Sequence, residues 1–360
     1  MPGYRRSSCG TERRRRCAAG VTTARLDLSR EQILAFRRSA GGLDERLPPG
    51  SESLRRAAWA GLQDSMPRAA LLSIHARVAE TGPTTWEDPA LVQLWGPRYS
   101  AYIVAAEDVA PFTLGRLPDD TAGRRRAEQA AARLHSHLDG RKMTYGEAGH
   151  ALGVNPNSLR YGTTTGTILM RWDGARQPTV WTVPRPELDP PVARLELARR
   201  YLHTFGPGTP ASFARWAGIK PRGGLTAFDA LQRSLTIVRT PVGDGWILIS
   251  DEPTFRARAT TAALARLLPS GDAYFLLHGA DRELLVPDAA KRGMLWTSRV
   301  WPGAILVEGE IVGVWRRAGA TISLQPWQSL SSAQRNALEA EAMSLPLPGI
   351  DGPMSVRWEV

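Results

Sequence analysis

The side chains that most often perform catalysis or bind metals are sparse in this sequence, and their spacing fits none of the usual sites. The six histidines are scattered, and none belongs to an HExxH zinc motif. His135 and His137 are two residues apart on a predicted helix, so they point to different faces and do not share a metal ion. A P-loop, a GxGxxG turn after a strand and a GxSxG nucleophile elbow are also missing. We therefore expect no metal site and no cofactor, and a packing role for histidines such as His75.

The residues with chemical potential are Gln63, Asp64 and Ser65, which lie between two helical segments. A structural explanation stays open, because Asp64 or Ser65 is a natural N-cap for the helix that follows Met66. Gln63 is the one residue of the three without an evident structural role. We therefore expect its amide to open toward a ligand.

The composition limits the class of protein. With 360 residues, of which 42% are hydrophobic and 22% charged, the chain predicts two to four globular modules. No apolar run approaches the roughly 20 residues of a membrane helix, so a membrane-spanning protein is not expected. The two cysteines, Cys9 and Cys17, lie in the first 20 residues, which excludes a disulfide scaffold and a cysteine zinc site from the folded body.

The positive charge is unevenly distributed. The net charge is +11, and residues 1–20 supply +5 of it through six arginines and one glutamate, so the other 340 residues carry +6. This mild excess suits a polyanionic partner, although a GC-rich genome would explain the arginine content equally well. Residues 1–26 lack periodicity and an export signal, which predicts a disordered basic arm and a cytoplasmic protein.

Helical and strand patterns alternate through the middle of the chain. A helix capped by Ser29, a second helix from Ser51, a third over roughly 67–80 and a strand near Tyr102 form the first group. The next group begins with a helix over Arg124–Leu138, and a capping box at Thr144 opens the first helix of the helix-turn-helix that follows it. In that group two helices, the second over 157–161, precede strands joined through Asp173-Gly174, which is the plan of a winged helix. In the third group Thr209-Pro210 opens a helix, residues 225–235 take the recognition position, and two strands flank the turn at 242–244.

The last 100 residues contain short β-prone runs and one helix, and they predict a small β-rich domain of barrel type. The predicted strands are Ala273–His278, Ala304–Glu308, Glu310–Arg317, Thr321–Gln325 and Ser355–Val360, and the predicted helix is Ser331–Leu345. The expected fold class is α+β, with three tandem winged-helix modules followed by the small barrel-like domain. The predicted bounds are 1–26 for the arm, 27–121, 122–190 and 191–252 for the winged helices, and 253–360 for the β-rich domain.

Long ordered stretches of the sequence resemble one protein family. They are GLQ-x-x-x-P-R-A-A at 61–70, RRYLHTFGPGTPASFARWAGI at 199–219, DGWILISD at 244–251, LLPSGDAYFLLHGADRELL at 267–285 and ILVEGEIVGVWRRAG at 305–319. From Leu28 to about Pro348 the chain is similar to the AlkZ/YcaQ-type winged-helix DNA glycosylases, which remove bulky alkylated or crosslinked bases. The resemblance implies three tandem winged helices and a small β-barrel around a basic concave surface that holds duplex DNA.

The resemblance also implies where the catalytic residues lie. Active members carry Gln-x-Gln or Gln-x-Asp with an apolar middle residue, so Gln63, Asp64 and Ser65 occupy the catalytic motif in a divergent form. The family's Arg-Gly-Thr-x-His run has its best counterpart at 98–102, which keeps Arg98 and lacks the histidine. Breaking an N-glycosidic bond builds positive charge on the sugar, so the site must supply an acceptor or anion and hold a water. An N-alkylated base is already cationic and leaves without a general acid.

The sequence thus predicts a protein that binds double-stranded DNA, as a cytoplasmic, nucleoid-associated monomer. Two functions remain open, namely a glycosylase that uses the Gln63 motif and a non-catalytic regulator or lesion sensor. The predicted DNA-binding residues are Arg98, Arg160, Arg222, Arg233 and Arg316, each of which could instead be an ordinary solvated arginine. On the C-terminal hairpin, strand alternation predicts Trp315 and Arg317 on one face, toward the core, and Arg316 on the other.

Overall fold

A computed structural model describes residues 25–66, 68–174, 176–257, 262–350 and 354–359, and its fold class is α+β, as predicted. Residues 1–24 of the predicted basic arm lie outside the described residues. Among the described residues, no helix is long and apolar enough to cross a membrane.

The helices begin where local capping is strongest. The side chains of Ser29, Thr144 and Thr209 each accept a backbone N–H three residues ahead in a complete capping box, which confirms three predicted helix starts. The α-helices are α1 (Arg30–Ala40), α2 (Ser51–Ala57), α3 (Ala69–His75), α4 (Val109–Thr113), α5 (Thr121–Leu138), α6 (Tyr145–Ala151), α7 (Pro190–Phe205), α8 (Pro210–Ala217), α9 (Pro221–Leu231), α10 (Glu252–Arg256), α11 (Asp281–Leu285), α12 (Ala289–Leu295) and α13 (Ser332–Met343).

The strands form small sheets of mostly antiparallel pairs. They are β1 (Leu26–Asp27), β2 (Leu62–Gln63), β3 (Leu91–Trp95), β4 (Ala101–Ala105), β5 (Met143–Thr144), β6 (Ile168–Arg171), β7 (Thr179–Thr182), β8 (Leu235–Thr240), β9 (Gly243–Leu248), β10 (Ala265–Leu268), β11 (Gly303–Val307), β12 (Glu310–Ala318), β13 (Thr321–Pro326) and β14 (Ser355–Trp358). The sheet orders are β2–β4–β3, β5–β7–β6, β1–β8–β9 and β10–β11–β12–β13–β14.

Each three-stranded sheet packs against helices, and we call the three assemblies the first, second and third units. The first unit combines β2–β4–β3 with α2 and α3, the second combines β5–β7–β6 with α5 and α6, and the third combines β1–β8–β9 with α7, α8 and α9. Residues 26–40 come early in the sequence but pack on the third unit and on α10. Strand β1 pairs in parallel with β8, and α1 packs on α7 and α10. Strands β3 and β6 contact each other, which joins the first unit to the second.

Several predicted elements differ from the observed ones. The third helix ends at His75 rather than near 80, because Ala79 donates its N–H to the carbonyl of Leu47 instead of continuing the helix. The predicted second helix of the second unit is a 3₁₀ helix, Pro156–Thr165.

The C-terminal region also departs from the prediction. The predicted strand Ala273–His278 is wrong: its first residues form a 3₁₀ turn, because the buried carboxylate of Asp272 accepts the N–H of Tyr274. Strand β10, which the sequence patterns did not indicate, takes its place in the sheet. In the part of the chain that the structure describes, the two edge strands β10 and β14 do not pair with each other, so the predicted barrel is not closed.

Buried hydrogen bonds and an ion pair connect α3 and the turn after it to Asp272 in the C-terminal region. Arg77 donates to both carboxylate oxygens of Asp272 at 2.7 and 2.9 Å, and Ser73 donates to the same carboxylate. His75 is buried, as predicted, with its ring nitrogens 2.7 Å from the hydroxyl of Thr81 and 3.0 Å from that of Ser344. Burial lowers the pKa of His75 to about 3, so the ring is neutral and serves packing.

Candidate functional site

Gln63 lies at the end of β2, where a tight backbone turn brings it to the junction of the three units. Gly61 precedes it with φ of +72°, and a Cβ at that glycine would lie 2.8 Å from the ring of Phe112. Gln63 then pairs with Tyr102 on β4. A side chain at position 61 would therefore push the strand that carries Gln63 off its neighbours.

The Gln63 amide is held from three sides. Its Oε1 accepts hydrogen bonds from Arg98 Nη2 at 3.2 Å and from the hydroxyl of Tyr102 at 3.5 Å, and its Nε2 donates to Ser65 Oγ at 3.1 Å. Because Arg98 can only donate, the amide oxygen must face the guanidinium, which fixes the orientation of the amide. The NH₂ group and the exposed Ser65 hydroxyl thus form a linked polar pair.

Asp64 points the opposite way, into the interior. Its side chain is 0% exposed, Oδ1 accepts the N–H of Ala70 at 3.0 Å, and Oδ2 accepts from Gln93 Nε2 at 2.6 Å. Burial raises the pKa of Asp64 to about 6, against the hydrogen bond from Ala70 and the positive charge of Arg68, which lower it. Asp64 therefore satisfies a backbone N–H in the first turn of α3 from the interior, whereas the N-cap position itself is held by Arg68 and not by Asp64 or Ser65.

The Asp64 network also anchors the second unit. Gln93 Oε1 accepts the main-chain N–H of Trp172 at 2.7 Å, and Arg68 Nη2 donates to the main-chain carbonyl of Trp172 at 3.1 Å. Arg68 has φ of +65° and its guanidinium stacks 3.8 Å over Trp86. The loop after β6 is thus fixed to β3 through buried polar groups.

A cleft of about 650 Å³ opens between the first and second units, with Ser65 in its lining. Four aromatic residues and three arginines line it, and none of the described lining residues is acidic. These seven residues are Trp95, Tyr99, Tyr145, Trp172, Arg98, Arg160 and Arg176. The cleft is therefore cationic and aromatic, a combination that suits nucleotides and phosphates.

Two of the predicted DNA-binding arginines meet in this cleft. Arg160 lies 5.7 Å from the ring centres of both Trp95 and Tyr145, and its Nε is buried without a hydrogen-bond partner among the described residues. Arg98 joins Gln63 to the third unit, because its Nη1 also donates to the carbonyl of Trp216 at 3.3 Å. The structure thus places Arg98 and Arg160 beside the Gln63–Ser65 pair.

The loop that carries Arg98 has a strained backbone. Arg98 and Tyr99 have φ of +55° and +57°, in the left-handed region that costs a non-glycine residue about 1 kcal/mol or more. Gly218 permits the close approach of this loop, since a Cβ there would lie 2.7 Å from the backbone nitrogen of Arg98. Below it, the buried Arg116 donates to the carbonyls of Trp95 and Ala217. The third unit therefore sets the position of Arg98.

The other predicted DNA-binding arginines lie outside the cleft. Arg222 lies on α9 and Arg233 just beyond it, and both are exposed. Arg316 is exposed on β12, where hydrogen bonds from Arg357 and Ser323 lower the pKa of Glu359 and the positive charge of Arg316 lowers it further. These three arginines do not share a site with Gln63.

Strand alternation on the C-terminal hairpin predicted that Trp315 and Arg317 both face the core. Trp315 is buried, as predicted, and its indole N–H donates to the carbonyl of Leu268 at 2.8 Å. The predicted core position of Arg317 is wrong, because its side chain is exposed near the end of β12 and its guanidinium donates to the carbonyl of Gly319.

Sequence reasoning missed the residues that form the cleft walls. Trp95, Tyr145, Trp172 and Arg176 come from three separate stretches, and none of them carries a motif. The available signal was the density of aromatic and arginine residues at 95–99 and 172–176. Their convergence follows only from the contact between β3 and β6.

His278 is a further neutral group near the site. Burial lowers its pKa to about 4, and the positive charges of Arg98, Arg282 and Arg215 lower it further.

No group of three or more His, Cys, Asp or Glu side chains in the described ranges is placed to hold a metal ion.

The model of the AlkZ-like DNA glycosylases matches residues 56–346, which include β2, both sides of the cleft and most of the C-terminal sheet. The chain belongs to this AlkZ-like DNA glycosylase family. Its fold is similar to that of the Streptomyces sahachiroi DNA glycosylase AlkZ, with a TM-score of 0.74 and 18% sequence identity over 93% of this chain and 100% of that one. No match was found among curated protein sequences. Family membership makes DNA the partner of this AlkZ-like chain and gives it a glycosylase-related function.

Proposed function

We propose that this AlkZ-like protein binds double-stranded DNA in the cytoplasm through three winged-helix units, and that it hydrolyses the N-glycosidic bond of alkylated or crosslinked bases. One observation carries the proposal: the linked Gln63–Ser65 pair borders a cationic, aromatic cleft that has no acidic residue in its described lining. Such a cleft attracts the phosphates and bases of DNA and brings them to the polar pair.

The chemistry asked of the protein is modest, because a cationic alkylated base leaves without protonation. The site must hold a water beneath the sugar, and Ser65 Oγ and the second N–H of Gln63 Nε2 are the groups free to do so. Gln63 Oε1 is already occupied by Arg98 and Tyr102, so the amide acts as a donor that orients Ser65. Asp64 supports the site from the interior and does not contact the substrate.

A second candidate function is lesion binding without hydrolysis, and a specific observation favours it. The carboxylate of the motif is fully buried, and the charged side chain nearest to Gln63 Oε1 is the cation of Arg98. A positive group beside the sugar opposes the charge that develops as the glycosidic bond breaks. A protein with this arrangement would recognise a lesion and leave the bond intact.

A glycosylase assay separates the two functions. The substrate is a duplex that carries one N7-alkylguanine or one crosslink, and abasic sites are read as strand breaks after alkali. We expect Gln63→Ala to lower turnover by roughly 10²-fold or more, because without the amide Ser65 and the attacking water lose their positions, with little effect on DNA affinity. Gln129→Ala, the same change on the exposed face of α5, is the matched control and should leave turnover unchanged. Equal trace release by wild type and Gln63→Ala would leave lesion binding as the function.

A further inference from the structure

A second pocket, distinct from the cleft, lies at the start of α11 and the end of α12. Its volume is about 300 Å³, and Arg282, Arg292 and Trp296 supply its large side chains. The rest of its described lining is Gly279 and Gly293, and a Cβ at Gly293 would meet no atom of the described residues within 4 Å. None of these five residues lines the cleft between the first and second units, so the pocket is a separate feature of the surface.

Both arginines of this pocket are held by main-chain carbonyls. Arg282 Nε donates to the carbonyl of Leu277 at 2.7 Å, and Arg292 Nη1 donates to those of Val286 and Pro287 at 2.9 and 2.6 Å. The described lining contains no carboxylate, and burial lowers the pKa of Arg282. Each guanidinium keeps further N–H groups that the carbonyls do not use, and these match the oxygens of a carboxylate.

Aromatic and apolar side chains accompany the two cations. The guanidinium carbon of Arg282 lies 4.8 Å from the ring centre of Trp296 and 5.2 Å from that of Trp301. The indole N–H of Trp296 donates to a main-chain carbonyl at 3.1 Å, which fixes the ring. Met294 and Val300, which are close by in the sequence, are 37% and 51% exposed. Arginine, tryptophan and methionine are enriched at protein–protein interfaces, whereas surfaces that bind DNA are more polar.

We propose that this pocket docks an acidic peptide segment of a protein partner. Carboxylates of the segment bind Arg282 and Arg292, and a neighbouring apolar side chain packs on Trp296 and Met294. Charge complementarity selects an acidic occupant, and the exposed apolar side chains favour a peptide over DNA, because phosphates gain nothing from contact with methionine. The fixed guanidinium groups and indole reduce the entropy that binding costs. The site takes no part in the proposed hydrolysis and goes beyond it.

The test measures the binding of fluorescein-labelled peptides to the full chain by fluorescence anisotropy. The peptide DDEFDDLF combines acidic and apolar residues, NNQFNNLF lacks the carboxylates, and DDEADDAA lacks the large apolar side chains. All three are amidated at the C-terminus, so that no terminal carboxylate contributes. Wild type should bind DDEFDDLF about tenfold or more tightly than either of the others, because losing one charge-assisted hydrogen bond or one buried apolar side chain corresponds to about that factor.

Variants assign the binding to the pocket. Gly293→Glu places a carboxylate of the chain itself beside the arginines, and the fold is kept because position 293 is exposed and glutamate suits a helix better than glycine. This variant and Arg292→Ala should each weaken binding of DDEFDDLF about tenfold or more. Gly82→Glu and Arg125→Ala are the matched controls, because they make the same charge changes outside the pocket. Both controls should bind as wild type does.

Duplex DNA is the alternative occupant, and the same proteins test it. Equal binding of DDEADDAA and DDEFDDLF, or a loss of duplex affinity in Gly293→Glu as large as its loss of peptide affinity, would assign the pocket to polyanions such as DNA and overturn the peptide site. Failure of wild type to bind DDEFDDLF, or equal binding by wild type and Gly293→Glu, would overturn it as well. Failure of wild type to bind duplex or to release bases would overturn the proposed function and leave the peptide site standing.

Discussion

Replacing Asp64 with asparagine would reverse one donor–acceptor pairing in the interior of the first unit. Both oxygens of Asp64 accept hydrogen bonds, from the N–H of Ala70 and from Gln93 Nε2. Gln93 cannot turn its amide over, because its Oε1 is needed by the N–H of Trp172. The new NH₂ group must therefore face another donor, and one buried hydrogen bond is lost with its donor left unsatisfied. The expected cost is about 1–3 kcal/mol of the free energy of unfolding at pH 7.5.

The same substitution makes a prediction about pH. Burial raises the pKa of Asp64 from its usual 3.8 to about 6 in the folded protein. A raised pKa means that the folded state binds a proton that the unfolded state has released, so this contribution to stability is complete below pH 3.8 and is lost as the pH rises through 6. Between pH 7.5 and pH 5 the wild type should gain about 1 kcal/mol that the asparagine variant does not. The difference between the two proteins should therefore grow on acidification.

Urea unfolding of the full chain at pH 7.5 and pH 5 measures both effects. Asp120→Asn is the matched control, because Asp120 also caps a helix through the N–H of Gly123, asparagine caps equally well, and the ion pair of Asp120 with the exposed Lys220 contributes little to stability. The control should change the unfolding midpoint little at either pH. A wild-type advantage that vanishes at pH 7.5, or that shrinks at pH 5, would refute the assignment of Asp64 as a desolvated structural acceptor.

Three further predictions concern the cleft and its surroundings. Ser65→Asp should raise glycosylase turnover on alkylated duplex, since it adds a carboxylate at the exposed end of the motif; unchanged turnover would show that this geometry is not productive. Arg98→Ala should lower turnover about tenfold, because the guanidinium positions the candidate amide, and should weaken duplex binding severalfold, because it lines the cationic cleft; unchanged turnover would show that the guanidinium does not position the amide. The triple change of Arg160, Arg222 and Arg233 to alanine should weaken duplex binding and flatten its salt dependence by up to about three units of slope, and unchanged binding at low salt would remove all three from the interface.

Local structure follows from the sequence wherever the interactions that fix it lie within a few residues. The capping boxes at Ser29, Thr144 and Thr209 join groups three positions apart, so the helix starts are predictable from pattern alone. The hairpin of β11 and β12 is equally local. The family resemblance of long segments depends on residue order and not on contacts, so the sequence alone indicates the family.

Contacts between residues far apart in the sequence determine the elements that the local hydrophobic pattern does not predict. The run Ala273–His278 is as apolar as a strand, but the buried ion pair between Arg77 and Asp272 holds its start in a turn. Strand β1 joins the third unit by pairing with β8, which lies some two hundred residues further along the chain. No periodicity within a short window carries such information.

The polar motif shows the same division between sequence and structure. The sequence contains three adjacent polar residues, Gln63, Asp64 and Ser65, and partners far away in the sequence determine that Asp64 is the one that is buried. Asp64 turns inward because Gln93 offers it a donor, and Gln93 is held in place by Trp172, 79 residues further on. Gln63 stays half-buried beside Ser65 because Arg98, which also donates to the carbonyl of Trp216 in the third unit, holds its oxygen. Burying a carboxylate is costly unless each of its oxygens finds a donor, and only the folded chain brings those donors together.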